Sequence, residues 1–180
     1  MKIKLLYSII FFTANSFFSF SQTNVSGGIF NDTTWSVSGS PYIVTADVAL
    51  FPGYTLTIQP GVSVKFNSGT KLILRGTLLA SATIDSKITF TSNVNNPVNG
   101  SWLGIEVENN QGGKIIASHI IGEYAENFIR IMNSSGGEVL NINHSEIKNC
   151  TRVFYSYANT SNYSVIFDNL HVHHHSNYAF

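Results

Sequence analysis

The chain has 180 residues, with 10 basic and 10 acidic side chains, 43% hydrophobic residues and 11% charged residues. No basic or acidic cluster stands out, which argues against nucleic acid as a partner. The apolar content is high enough to bury a core, so a disordered chain is excluded, and the single cysteine excludes a disulfide within the chain.

Residues 1–21 have the layout of a secretory signal peptide. Lys2 and Lys4 form a short positive segment, and residues 5–20 form an uncharged apolar stretch. Ser19 and Ser21 place small residues before a cleavage site. The apolar stretch is shorter than the roughly 20 residues of a membrane-spanning helix. We therefore expect residues 1–21 to be removed, leaving an exported chain with no membrane span and a net charge of −2, from 8 basic and 10 acidic residues.

A unit of eight residues repeats between residues 50 and 76. Each unit has an apolar pair separated by one residue, followed by a turn that contains glycine. The pairs are Leu56 and Ile58, Val64 and Phe66, and Leu72 and Leu74, and the turns contain Gly53, Gly61, Gly69 and Gly76. Such alternation is typical of a strand with one buried face, and glycine allows a tight corner. Three such units predict a coil of about 24 residues.

A longer recurrence in the second half gives an independent coil length. Ile120, Ile147 and Val172 each follow similar polar residues, and they recur at nearly equal intervals. Together, the two estimates predict an all-β fold, a right-handed parallel β-helix with three faces and about 24–27 residues per coil. A β-sandwich is the structural alternative, but sandwiches do not repeat in this way.

The coils are expected to occupy residues 42–180, after an N-terminal cap over residues 22–41. Both ends of a solenoid expose strand edges that need covering. Because no capping segment follows the last coil, we expect the natural chain to continue past Phe180, or the open end to self-associate. Cys150 is expected to be a small buried hydrophobe. The residues predicted to line the interior are Val62, Val64, Phe66, Leu72, Leu74, Ile84, Ile88, Phe90, Ile105, Val107, Ile120, Ile142, Ile147, Ile166 and Val172.

Three motifs within residues 42–180 point to a known group of proteins. They are Leu56-x-Ile58-x-Pro60-Gly61, Lys87-Ile88-Thr89-Phe90 and Ser101-Trp102-Leu103-Gly104-Ile105. With these motifs the chain resembles secreted bacterial β-helix repeat proteins of the pectate-lyase-like solenoid superfamily. The resemblance implies a protein secreted by a bacterium or held at its cell surface. Because the group includes adhesins, glycan-handling proteins and polysaccharide-degrading enzymes, the resemblance leaves the function open.

The acidic residues are spread singly along the chain, which disfavours an active site within it. Glycosidases need two carboxylates across the scissile bond, and the resemblance implies that lyases of this fold hold Ca²⁺ with clustered carboxylates. Glu106 and Glu108 share one side of a strand, roughly 7 Å apart. With no Lys or Arg in an obvious groove beside them, we expect them on a solvated edge. We therefore assign no catalytic residue and no required cofactor.

The histidines suggest a metal site. In the predicted register His119, Glu146 and His171 stack on the outer surface of neighbouring coils, ~4.8 Å apart. His173 shares one side of the strand with His171. Nitrogen and oxygen ligands of this kind suit Zn²⁺, with Ca²⁺ as an alternative ion. Outward polar residues stack on any solenoid, so a plain surface ladder is the alternative interpretation.

Tyrosines give a second hypothesis. The tyrosines that cluster in the second half are Tyr124, Tyr155, Tyr157, Tyr163 and Tyr178, and exposed tyrosine rings can stack on sugars. The first four are the candidate glycan-binding residues, with packing over the coil edge as the alternative. The sequence thus favours a secreted, non-catalytic β-helix that binds glycans or cell-surface components. The alternatives are a polysaccharide lyase or glycoside hydrolase with its catalytic coils beyond residue 180, and a structural spacer or stalk.

Overall fold

The computed structural model describes residues 22–158 and 162–179. Within these ranges, fifteen strands form one hydrogen-bonded sheet that winds into a solenoid of about six turns. The predicted all-β, three-faced parallel β-helix is therefore confirmed. The predicted signal peptide, residues 1–21, lies outside the described residues. In the described part of the chain, no helix is long and apolar enough to cross a membrane.

The strands follow one another with short connections. In chain order they are β1 (Thr23–Ile29), β2 (Thr33–Trp35), β3 (Tyr42–Leu50), β4 (Thr55–Ile58), β5 (Ser63–Phe66), β6 (Lys71–Leu74), β7 (Thr77–Ser81), β8 (Ile88–Ser92), β9 (Trp102–Glu108), β10 (Lys114–Ser118), β11 (Ile120–Glu123), β12 (Ala125–Asn133), β13 (Gly137–Lys148), β14 (Arg152–Ser156) and β15 (Tyr163–His173). Two 3₁₀ turns, Val37–Gly39 and Asn109–Gln111, are the helical segments among the described residues.

Parallel pairing sorts the strands into three faces. Face A stacks the end of β3 with β6, β9, β12 and β14. Face B stacks the start of β3 with β5, β8 and β11, and then with the ends of β13 and β15. Face C stacks β2, β4, β7 and β10 with the first parts of β13 and β15. The long strands β3, β13 and β15 therefore each bend around one corner and serve two faces.

The eight-residue unit forms one strand and one corner, as predicted. β4, β5 and β6 each have four residues that alternate between half-buried and buried. Gly53, Gly61 and Gly69 lie in the turns between units, with φ angles of 83°, 83° and 74°. Because a Cβ is strained in this left-handed region, glycine suits the points where the strands must turn.

The segment expected to form a cap adds strands to the stack. β1 runs parallel to β3, and β2 runs parallel to β4. The Trp35 ring stacks on Tyr42 with centroids 4.9 Å apart, and the Tyr42 hydroxyl accepts a hydrogen bond from the backbone N–H of Ser36 at 2.8 Å. Residues 23–35 therefore extend the first coil. Their capping role stays a prediction.

The coil length is regular at the end of the chain and variable before it. Ile115 pairs with Leu140, and Leu140 pairs with Val165, so these coils have one common length of about 25 residues. Leu74 pairs with Val107, a longer step, because a loop over residues 93–101 is inserted in that coil. The predicted length of about 24–27 residues per coil fits the last coils and is wrong for this one.

Among the described residues, six of the seven non-glycine residues in the left-handed region form two columns along the borders of face B. The first column is His119, His144 and Asn169, with φ angles of 51°, 48° and 49°. The second column is Tyr124, Asn149 and His174, with φ angles of 62°, 53° and 56°. In both columns the members recur with the period of the last coils. A bend of the same kind is therefore found at the same place in each of these coils.

These columns show that part of the predicted register is wrong. Gly122, rather than Ile120, pairs with Ile147. Ile120 instead lies beside Ser145, whose side-chain oxygen accepts its backbone N–H at 3.1 Å. Aligning Ser118-His119-Ile120 with Ser145-Glu146-Ile147 therefore gives a register that is wrong by two residues. The bend at the corner, and not the similar tripeptide, occupies the same position in successive coils.

The predicted interior is largely confirmed. Most of the expected residues are fully buried, and Val172 packs against the core at its end. Two predictions are wrong. Ile84 is 71% exposed, because it lies in the loop between β7 and β8. Ile166 is 39% exposed, because Val165 and Phe167 on either side of it turn toward the core.

Four aromatic rings fill the centre of the solenoid. The Phe66 ring stacks on Trp102 at a centroid distance of 3.9 Å, and Phe128 meets Trp102 and Phe90 edge-on at 6.2 Å. The indole N–H of Trp102 donates to the Glu123 carbonyl at 2.7 Å. Such pairs contribute about 0.5–1.5 kcal/mol beyond area burial. The tryptophan of the third sequence motif is therefore a core residue.

Gly104 should be irreplaceable on steric grounds. Its φ angle is 113°, and a Cβ there would overlap the carbonyl oxygen of Asn127 on the next strand. We expect Gly104→Ala to lower the free energy of unfolding by about 3 kcal/mol or more, measured by urea denaturation. Gly53→Ala is the matched control, because its φ is 83° but its surroundings are open, and it should cost about 1–2 kcal/mol. Equal losses would contradict the steric explanation.

Cys150 is buried, as predicted, and burial raises the pKa of its thiol to about 12. We expect the folded protein to be inert to a thiol-specific reagent at pH 8, and the urea-unfolded protein to react stoichiometrically. The readout is the absorbance of the released chromophore. Rapid labelling without denaturant would show that the Cys150 thiol is accessible in the folded protein and would contradict its burial.

Candidate functional site

Three of the four predicted metal-binding residues lie together on the outer surface of face B. Glu146 on β13 pairs with His171 on β15, and His173 follows two residues later on the same side of that strand. One side-chain nitrogen or oxygen atom from each residue lies within 4.8 Å of the other two. We call these three residues the His–Glu cluster.

Hydrogen bonds hold the His–Glu cluster in place. Glu146 Oε1 lies 2.9 Å from Lys148 Nζ and 3.0 Å from His173 Nε2. The bonds from Lys148 and His173 hold the pKa of Glu146 below its usual value, so the carboxylate is ionised at neutral pH. Lys148 Nζ also lies 3.5 Å from Glu123 Oε1. Its ammonium group therefore bridges carboxylates on two neighbouring coils.

The fourth predicted ligand, His119, belongs to the corner column beside the cluster. His119 aligns with His144, and their rings stack with centroids 5.2 Å apart. Asn169 Nδ2 lies 3.2 Å from His144 Nε2, which extends the column by one coil. His119 Nδ1 is buried, and no described residue hydrogen-bonds to it. The register difference of two residues is what separates His119 from Glu146.

One groove connects the corner column to the cluster. It has a volume of about 400 Å³, and its lining residues are Ile84, Lys87, His119, His144, Ser145, Glu146, Asn169 and His171. The groove therefore has imidazole, amide and carboxylate groups, and Lys87 adds an ammonium group. Its polar groups come from four successive coils.

The four candidate tyrosines are not all together. Tyr155 and Tyr157 lie at the end of β14, with ring centroids 4.6 Å apart and planes at 78°. The Tyr163 hydroxyl is 2.7 Å from Ser156 Oγ, so its polar end is already bonded. Tyr124 lies in the second corner column and packs partly against the core. Tyr155 and Tyr157 are thus the pair whose rings contact each other, and Tyr157 is exposed.

The last described residues complete a cleft beside this pair. Residues 176–179 run next to β14, where Phe154 N donates to the Ala179 carbonyl at 2.9 Å and Asn177 N donates to the Thr151 carbonyl at 3.0 Å. This pairing places Tyr178 on the same surface as β14. The resulting cavity of about 400 Å³ is lined by Arg152, Phe154, Tyr155, Ser156 and Tyr178. We call it the aromatic cleft.

The aromatic cleft combines ring faces with a cation. The Arg152 guanidinium carbon lies 5.3 Å from the centre of the Tyr155 ring, a distance typical of a cation–π contact. Tyr178 is 80% exposed, and Tyr157, whose ring contacts that of Tyr155, is 52% exposed. Large exposed aromatic residues grouped in this way are characteristic of binding surfaces.

Glu106 and Glu108 contradict the expectation of a solvated edge. Glu106 is only 7% exposed and pairs with Lys71 at 3.0 Å and with Arg130. Glu108 pairs with Arg75 at 2.7 Å. Burial alone would raise the pKa of Glu106, but the hydrogen bonds from Arg130 and Lys71 outweigh it, and the pKa lies below its usual value. The basic partners lie on adjacent coils, 24 to 35 residues away in sequence. The residues that flank Glu106 and Glu108 in the sequence therefore do not indicate these ion pairs.

Sequence reasoning missed several residues at these sites. His144, Asn169 and Lys148 border the His–Glu cluster, while Arg152 lines the aromatic cleft. A usable signal existed for the first two, because His119, His144 and Asn169 recur at one constant interval. Arg152 and Tyr178 meet only through the pairing of neighbouring segments, which no local pattern indicates.

Comparison with known proteins does not show a family for the chain. No protein-family model matches it, and no solved structure matches it. A segment of 59 residues is 36% identical to Protein bark beetle of Drosophila melanogaster, which covers 32% of this chain and 2% of that protein. The chain thus matches a small fraction of that relative's length.

The ionised form of Glu106 should stabilise the fold. Because its pKa is lower in the folded protein than in the unfolded chain, this contribution is present above about pH 4.5 and is lost as the pH falls through the folded value. We expect Glu106→Gln to lower the free energy of unfolding by about 2 kcal/mol at pH 7, and by clearly less at pH 3. Urea denaturation at both pH values measures the difference.

Glu138→Gln is the control for this prediction. Glu138 pairs with Lys114 at 3.3 Å, and both side chains are about a third or more exposed. Exposed pairs of this kind contribute about 0–1 kcal/mol. A Glu106→Gln loss that is the same at pH 3 and pH 7, or no larger than the Glu138→Gln loss, would contradict the role assigned to Glu106.

Proposed function

We propose that this β-solenoid binds saccharide chains at the aromatic cleft without cleaving them. The observation that carries the proposal is the grouping of Tyr155, Tyr178 and Arg152 around one open cavity of about 400 Å³. Ligand sites commonly have volumes of roughly 300–1,000 Å³. The cleft is therefore large enough for sugar rings while remaining open to a chain that extends beyond it.

The chemistry of the aromatic cleft matches that of a sugar. A pyranose ring has apolar C–H faces, which pack on tyrosine rings, and hydroxyl groups at its edge, which need hydrogen-bond partners. The Arg152 guanidinium has five N–H donors in a fixed plane, one of which bonds to Asn127 Oδ1 at 3.4 Å. A uronic acid would gain an additional charged contact with this guanidinium. We therefore expect acidic polysaccharides to bind more tightly than neutral ones.

The state of the carboxylates supports binding rather than hydrolysis. A glycosidase needs one carboxyl group with a raised pKa to protonate the leaving group. Glu106 and Glu146 are both held by cationic neighbours, and the pKa of each is lowered. Each of these carboxylates therefore remains ionised and is a poor proton donor at neutral pH.

An extracellular location is part of the same proposal. The signal peptide expected over residues 1–21 supports secretion or display at a bacterial cell surface, where polysaccharides are abundant ligands. The long outer faces of a solenoid offer an extended surface for such chains.

Tyr155→Ala should weaken polysaccharide binding about tenfold, equivalent to roughly 1.4 kcal/mol, because it removes one ring face of the cleft and the group over which Arg152 lies. Affinity electrophoresis or calorimetry with a panel of acidic and neutral polysaccharides measures the effect. Tyr54→Ala is the matched control, because Tyr54 is 37% exposed but lies on an early coil. It should bind like the unaltered protein.

The other functions give different outcomes in the same assay. New reducing ends or unsaturated products would overturn the non-catalytic proposal in favour of a glycoside hydrolase or a lyase. Neither retention nor turnover on any member of the panel would favour a spacer. Retention that Tyr155→Ala does not change would place binding elsewhere on the solenoid.

A further inference from the structure

We propose that the His–Glu cluster is a zinc-binding site. Glu146, His171 and His173 would each contribute one ligand atom, and the ion would join β13 to β15 on the outer surface of face B. The site is separate from the aromatic cleft, so it does not depend on the saccharide proposal.

The fold brings the ligands together by two elementary spacings. Residues paired on adjacent strands lie ~4.8 Å apart, and residues two positions apart on a strand share one side. Glu146 and His171 have the first relation, and His171 and His173 have the second. The side chains of Glu146 and His173 already meet at 3.0 Å, and the His171 and His173 rings lie 4.6 Å apart.

Little movement is needed to bind an ion. Zinc–nitrogen and zinc–oxygen bonds of about 2.0–2.2 Å in a tetrahedral site place ligand atoms about 3.3 Å from one another. The three ligand atoms lie within 4.8 Å of one another in the solenoid. Rotation of the exposed His171 side chain closes the remaining gap without moving the backbone.

The ligand types select the ion. Two imidazole nitrogens and one carboxylate oxygen suit Zn²⁺, which commonly takes three protein ligands and keeps a fourth position open. Calcium requires six to eight oxygen ligands, and this cluster offers only one carboxylate. The Ca²⁺ alternative is therefore disfavoured at this position.

Lys148 has another carboxylate to pair with when the ion binds. Its ammonium group bonds to Glu146 Oε1 at 2.9 Å and lies 3.5 Å from Glu123 Oε1. Glu123 uses its other oxygen, Oε2, to accept a hydrogen bond from the Thr91 hydroxyl at 3.0 Å. Lys148 can therefore shift fully to Glu123 and release Glu146 to the metal. Until it does so, Lys148 competes with the ion.

His174 can orient the ligand ring of His173. The Nδ1 atoms of the two residues lie 2.5 Å apart, so one of them donates a hydrogen bond to the other. In the metal-free chain His173 Nε2 donates to the Glu146 carboxylate at 3.0 Å. Binding of the ion requires the other tautomer, in which the ring proton lies on Nδ1 and is donated to His174, so that Nε2 is free to ligate. A hydrogen bond to the non-ligand nitrogen is the usual support of a metal-binding histidine.

Calorimetric titration of the protein with Zn²⁺ tests the site. We expect one ion per chain, and His171→Ala or Glu146→Gln should weaken binding at least about 30-fold, because each removes one of three ligands. Because His174 contacts a ligand rather than the ion, His174→Ala should have a smaller effect than either. His171 is exposed, and its truncation should leave the metal-free melting temperature unchanged.

Two further variants distinguish zinc binding at one defined site from diffuse zinc binding to surface histidines. His144→Ala, which alters the neighbouring column, should bind Zn²⁺ as the unaltered protein does. Lys148→Met should bind about tenfold more tightly, because it removes the competing ammonium group. X-ray absorption at the zinc edge should report two imidazoles and a first shell at about 2.0–2.2 Å.

Several results would overturn the proposal. Unchanged affinity in His171→Ala and Glu146→Gln would place the ion elsewhere. Losses of similar size in His144→Ala and His171→Ala would indicate diffuse binding to surface histidines. Weaker binding in Lys148→Met would show that the lysine supports the ion rather than competing with it. Saccharide binding measured with and without Zn²⁺ remains a separate readout, since the aromatic cleft contains none of these ligands.

Discussion

The parallel hydrogen-bond ladder between successive coils is the constraint on which the rest of this molecule depends. Once Ile115, Leu140 and Val165 are joined in one ladder, every other residue of those coils has a fixed neighbour above and below it. Apolar residues then stack inside and polar residues stack outside. Side chains that are one coil apart in sequence therefore lie next to each other on the surface and can form a binding site together.

Both candidate sites follow from this geometry in different ways. The His–Glu cluster uses the ladder directly, because Glu146 pairs with His171. The aromatic cleft uses an edge of the stack, where Tyr178 is placed beside β14 by the backbone bonds of its neighbours. A rigid scaffold of this kind presents side chains in fixed positions, which reduces the entropy lost when a ligand binds.

Much of the fold can be predicted because its signals are local and repeated. Alternation in units such as Leu56 and Ile58, with glycine at each corner, identifies strand, face and turn within eight residues. Register over one coil is harder to predict, because Ser118-His119-Ile120 and Ser145-Glu146-Ile147 look alike while the spatial equivalents are His119 and His144. The position of the bend, rather than the similarity of the tripeptides, therefore sets the register.

The candidate sites are only partly predictable for the same reason. The ion pairs of Glu106 with Lys71 and Arg130 join three coils, and no pattern within one coil indicates them.

The two left-handed columns have a consequence for how such a chain can change in length. Each bend recurs at one constant interval, from His119 to His144 to Asn169 and from Tyr124 to Asn149 to His174. Gain or loss of one whole period leaves every bend above another bend, whereas a shorter insertion within a strand would place an unsuited residue at a corner. Growth by duplication of entire coils is therefore compatible with the architecture, while loops such as residues 93–101 can vary freely between strands.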